Sequence, residues 1–170
     1  MRPRDLALSA FFCALIAVGA WFSLPIPGGF VTLQLFFVLL CAYLLPPKAA
    51  FFSLLAYLLL GLCGAPVFAG FVGGLSILAS PTFGFVAGMV AAAPLISALF
   101  RRLGRSKAAA LLSGTAGLVL LYLFGGLYAA WLMKHAWSTF LAYLPADAVK
   151  LLAAAALAVP LQKRLARFLD

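Results

Sequence analysis

Apolar residues run along this chain in long blocks, and short polar or Pro/Gly-rich stretches separate them. The blocks cover Leu6–Leu24, Thr32–Leu45, Ala49–Cys63, Phe83–Phe100, Ala108–Ala130 and Ala146–Leu165. They are rich in Leu and Ala and lack the period-2 alternation of a barrel strand, so each reads as a helix. Apolar runs of about 20 residues match the thickness of a bilayer core. The pattern predicts an all-α membrane protein, a bundle of six transmembrane helices in a single domain over residues 1–170. Arg2 and Arg4 before the first block would suit a signal peptide, but no soluble stretch follows, and the block reads as a retained first helix.

The breaks between blocks carry information of their own. Pro25-Ile-Pro-Gly-Gly29 ends the first helix in an uncharged loop. The second block has only 14 residues, about 21 Å of helix at 1.5 Å per residue. Either that helix starts earlier, or part of the loop before it dips into the membrane against a cavity. Pro94 predicts a kink in helix 4. Between helices 3 and 4 lies the stretch 64–82, with four Gly, two Pro and no charge in 19 residues. Long loops are functional or disordered, and disordered ones are polar. An apolar one is expected to pack onto the bundle as a lid, its glycines giving a tight path and N–H groups free for a ligand.

Composition and charge sharpen the topology. Mean hydropathy is +1.21, and charged residues make up 9% of the chain. The net charge of +9 would suggest nucleic acid in a soluble protein. Here Arg2, Arg4, Lys48, Arg101, Arg102, Arg105, Lys107, Lys163, Arg164 and Arg167, ten of the 12 Lys and Arg, fall on one side of a six-span layout. The positive-inside rule places that side, and both termini, in the cytoplasm. The apolar loop between helices 3 and 4 is then an outer loop. Trp131, Trp137 and Tyr143 read as interfacial anchors near that face, and His135 carries no role. Cys13, Cys41 and Cys63 lie apart within apolar blocks, as small hydrophobes do.

Candidate chemistry concentrates at the start of the last block. Asp147 is one of three acids; the others are Asp5 and Asp170, and the chain has no Glu or Asn. An acid inside a membrane helix needs a partner or water, and so marks a candidate site. Lys150 follows at i+3 on the same face. The carboxylate accepts N–H groups and the ammonium donates to a carbonyl, which suits a compact amphipathic solute. A structural ion pair is the bland alternative. Gln34 and Thr32 open the second block as further polar candidates, and Phe68, Phe71 and Phe85 offer apolar walls. Ala10, Ala14 and Ala17 form a small-residue face on helix 1, for internal packing or for a membrane partner.

No P-loop, no His-Glu-x-x-His and no credible nucleophile set occurs. An enzyme is not expected, and ATP would act only through other subunits. No inverted repeat is evident.

Several stretches together resemble the BioY family, the biotin-binding S components of energy-coupling factor (ECF) vitamin transporters. They are Ile26-Pro-Gly-Gly29, Thr32-Leu-Gln-Leu-Phe-Phe-Val-Leu-Leu40, Gly64-Ala-Pro-Val-Phe-Ala-Gly70, Gly73-Gly74, Ser80-Pro-Thr82 with Gly84, and Pro145-x-Asp147-x-x-Lys150. The chain departs from the family at Phe83 and Phe85, where Gly and Tyr are common, and at Pro46-Pro47. The resemblance implies a multi-pass protein of the cell inner (plasma) membrane that captures biotin from outside. Its partners would be a transmembrane coupling protein and two cytoplasmic ATPases, with transport by toppling of the S component. It implies substrate binding by Asp147, Lys150, Gln34, Thr32, Phe68, Gly70, Phe71, Gly73 and Gly74, partner binding by Ala10, Ala14 and Ala17, no cofactor, and no nucleic acid. An S component for a different vitamin and a stand-alone small-solute transporter are the rival readings.

Overall fold

The computed structural model describes residues 2–26, 29–133 and 142–169. The expectations for Lys134, His135 and Trp137 lie outside the described residues. Six α-helices occur among the described residues: α1 (Pro3–Trp21), α2 (Gln34–Leu44), α3 (Pro47–Leu62), α4 (Phe83–Arg102), α5 (Lys107–Met133) and α6 (Leu144–Leu169). Four of them, α1, α4, α5 and α6, are long and apolar enough to cross a membrane, and α2 and α3 are shorter apolar helices.

Two features differ from the sequence reading. Helix α1 stops at Trp21 rather than Leu24, and the chain then forms a hairpin, with β1 (Ser23–Ile26) antiparallel to β2 (Gly29–Thr32). Ser23 pairs with Thr32 and Pro25 with Phe30. Thr32 therefore ends a strand and does not open a helix. As expected, Pro94 lies within the fourth helix, α4.

Helix α2 sits at the centre. Its side chains from Val38 to Tyr43 are buried all round, as expected of a helix with no solvent or lipid face. In lipid the apolar effect does not drive helices together, so close packing of small residues must. The α4–α5 seam follows that rule. A Cβ on Gly84 would strike Tyr128, and one on Gly117 would strike Ile96.

Serines add hydrogen bonds between helices. Ser9 Oγ donates to the Ala49 carbonyl at 3.0 Å, and Ser53 Oγ donates to the Ser9 carbonyl at 2.9 Å. Tyr43 on α2 donates to Ala110 O at 2.7 Å, and Gln162 on α6 donates to Tyr43 O at 2.9 Å.

The loop between α3 and α4 is ordered into two 3-10 turns, Ala69–Phe71 and Leu75–Ala79. Gly70 (φ +72°) and Gly74 (φ +86°) take left-handed conformations that L side chains avoid. Phe68 from this loop is 1% exposed and lies edge-on to Tyr57 of α3. The Tyr57 hydroxyl in turn donates to Val67 O at 3.0 Å. Such anchoring makes the apolar loop part of the packed structure.

Candidate functional site

Helix α6 begins at Leu144, with Pro145 in its first turn, where a missing N–H costs nothing. Asp147 lies in the same turn, and its N–H donates to Tyr143 O at 3.0 Å. The positive end of the helix dipole favours a carboxylate there. Asp147 is 8% exposed. Lys150 Nζ donates to Asp147 Oδ1 at 2.7 Å, one turn on. The other carboxylate oxygen accepts from Tyr122 of α5, with the phenol oxygen 2.8 Å from Oδ2. A buried acid is thus held between one cation and one neutral donor.

This trio lies on the wall of a cavity of about 190 Å³. Thr32, Gln34 and Phe68 share that wall with Asp147 and Lys150. Five of the candidate residues, from β2, α2, the α3–α4 loop and α6, therefore come together. Gln34 is buried, and its amide faces Met89 Sδ at 3.3 Å. The rest of the lining is mainly apolar or aromatic, with hydroxyls at Ser76, Ser80 and Thr82. A mostly apolar hollow with a few placed polar groups is the usual form of a small-molecule site.

The structure does not bring the other loop candidates to the wall. Gly70, Phe71, Gly73 and Gly74 are absent from the lining. The Gly74 N–H, expected to be free, donates to Gly61 O at 2.7 Å. Gly73 is pressed against the backbone of Ala65. Phe71 is 63% exposed and stacks on Trp21 at 5.5 Å. Trp21 also donates from Nε1 to Pro66 O at 2.8 Å. These residues brace the loop from behind. On α1, Ala10 and Ala14 are exposed, whereas Ala17 is turned into the core.

Tyr122 and Tyr143 join the site without having been singled out for it. Phe85 packs edge-on against Tyr122 at 5.7 Å, and its ring lies 6.4 Å from that of Tyr143. Burial, and then the nearby Asp147 carboxylate, push the Tyr143 phenol up, which keeps it neutral. Gly125 makes room for this cluster, because a Cβ there would meet the Phe85 ring. The one sequence trace of Tyr122 was its place near Gly125 on an otherwise apolar helix.

Comparison with known proteins places the chain in a family. The model of the BioY family matches residues 1–167. A Thermotoga maritima protein named biotin transporter BioY is 39% identical over 164 residues, which is 94% of this chain and 96% of that protein. A Pyrococcus horikoshii protein named "Probable biotin transporter BioY" is 40% identical over 130 residues, 76% of each chain. These relatives are named as transporters, not as enzymes. The crystal structure of the S-component for biotin from an ECF-type ABC transporter superposes with a TM-score of 0.87. It covers 94% of this chain and 91% of that one at 23% identity, and so shares the fold. With its membrane helices and a family match over nearly its whole length, this chain is a membrane protein that belongs to the BioY family.

Proposed function

We propose that this protein is the biotin-binding S component of an ECF-type vitamin transporter, capturing biotin at the outer face of the cell membrane. The observation that carries this reading is the Asp147 carboxylate on the wall of a mostly apolar cavity, in a chain of the BioY family. A ureido ring offers two N–H donors and one carbonyl. Asp147 accepts the N–H groups, and Lys150 donates to the carbonyl oxygen or stays with the carboxylate. Thr32 and Gln34 complete the polar contacts, and Phe68 and Phe85 wall the apolar part of the ligand. Gly70, Phe71, Gly73 and Gly74 serve as the brace of the loop that covers it.

In this reading the chain acts as one domain with six spans in the cell inner (plasma) membrane. The clustering of ten of its 12 Lys and Arg supports cytoplasmic termini. ATP hydrolysis comes from two cytoplasmic ATPases, linked through a transmembrane coupling protein that meets α1 at Ala10 and Ala14. The chain itself uses no cofactor.

Equilibrium binding of biotin to the purified chain in detergent, without partner subunits, tests the proposal. Saturable binding is expected, and Asp147→Asn should weaken it about 30- to 1000-fold, the loss of a charged hydrogen bond in a buried site. Unchanged binding in Asp147→Asn would remove that residue from the site. No biotin binding by a folded sample, with binding of another vitamin, would overturn the ligand.

A further inference from the structure

A second hollow lies at the other end of the bundle. Along α4, Phe85 lines the first cavity and Arg101 the second. Their separation of 16 positions along α4 corresponds to about 24 Å of helix. The second hollow measures about 350 Å³, and its charged lining is Arg2, Arg4, Asp5 and Arg101. Among the described residues three guanidinium groups face one carboxylate there, an excess of two positive charges.

Arg101 is the telling residue. It is half-buried, and it makes no ion pair among the described residues. Its Nε lies 3.4 Å from Ser97 Oγ, and that hydroxyl donates to Leu45 O at 2.6 Å. The relay fixes the root of the guanidinium, and among the described residues its two terminal nitrogens have no hydrogen-bond partner. Arg2 likewise makes no ion pair among the described residues, while Arg4 is engaged by a further contact. A partly desolvated guanidinium with a planar fork matches a phosphate better than it matches water.

The remaining walls are apolar: Leu8 of α1, Leu44 of α2 and Leu165 of α6. Free phosphate has no use for leucines, whereas the glycerol and first methylenes of a lipid do. Basic pockets between membrane helices are a recognised setting for lipid headgroups. We infer that the hollow ringed by Arg2, Arg4 and Arg101 holds the phosphate of an anionic phospholipid. This site is separate from the biotin proposal and rests only on the chain being embedded in a membrane.

The test uses the full chain in a neutral detergent, with short-chain phosphatidylglycerol, short-chain phosphatidylcholine and inorganic phosphate as probes. Thermal melting is followed across each titration. A saturable rise in Tm is expected with phosphatidylglycerol alone. Arg101→Gln and Arg2→Gln should each weaken that response, by roughly fivefold per guanidinium removed. Arg102→Gln, one residue outside the lining, should keep it, and Arg101→Lys should recover part of it. Helical content and monodisperse elution confirm that each variant is folded. An equal response to phosphatidylcholine, or an undiminished one in folded Arg101→Gln, would overturn the inference. A full response to inorganic phosphate would overturn the lipid in favour of a free anion. Unchanged lipid response in Arg101→Gln with lost capture of the coupling protein would assign the hollow to an acidic protein segment instead.

Discussion

Tyr122 and Asp147 sit 25 residues apart, yet the phenol of one is hydrogen-bonded to the carboxylate of the other at 2.8 Å. The bond joins α5 to α6 across the cavity wall. It also settles which carboxylate oxygen faces Lys150. Tyr122→Phe keeps the ring against Phe85 and removes only the hydroxyl. The freed carboxylate can then pivot, and biotin affinity should fall by about tenfold, near the cost of one hydrogen bond to a charged group. Equilibrium binding at constant pH reads the change; an unaltered affinity would show that the hydroxyl does no positioning.

Lys150→Met leaves a carboxylate with only the Tyr122 bond in a buried setting. Breaking a buried pair from one side costs about 3 kcal/mol or more. A lower Tm is expected, with poor biotin binding. The double variant Asp147→Asn with Lys150→Met should regain most of the Tm but none of the binding. Recovery of both would contradict a ligand role for the pair.

Gly61 does not line the cavity, but any side chain there collides with the Phe68 ring. Gly61→Ala should push Phe68 from its buried seat, at about 1–3 kcal/mol for overpacking. Both Tm and biotin affinity should drop, although the substitution touches no ligand. Normal affinity in that variant would mean Phe68 is not a wall of the bound state.

Trp21 clamps the cavity loop from outside through its bond to Pro66 and its stack on Phe71. Trp21→Leu removes both contacts while keeping an apolar residue. Faster release of biotin in stopped-flow mixing is expected, with a small change in Tm. An unchanged release rate would show that the loop needs no such clamp.

The helices were legible because apolar runs, prolines and basic clusters mark their limits one by one. Asp147 and Lys150 were legible for a related reason: an i, i+3 pair in an acid-poor membrane chain stands out locally. The hairpin was not. Ser23–Ile26 and Gly29–Thr32 are four residues each, and Pro25 speaks against a strand unless it lies at an edge. The loop glycines were recognised as special, and Gly70 and Gly74 do take left-handed backbone. Which way their N–H groups point depends on α3, and Gly74 spends its own on Gly61. Phe71 looked like Phe68 in the sequence, yet one stacks on Trp21 outside and the other is sealed inside. Tyr122 escaped notice because its partner lies on another helix.

The two serine bonds between α1 and α3 have a mechanical consequence. Each hydroxyl grips a main-chain carbonyl, and Ser9 acts in both, as donor to Ala49 and as acceptor from Ser53. Sliding either helix alone would break both bonds, although the Ser9 hydroxyl would keep the Asp5 carbonyl of its own helix, 2.8 Å away, as acceptor. The exposed alanines of α1 and the loop that α3 carries are thereby tied to one hydrogen-bonded pair of helices.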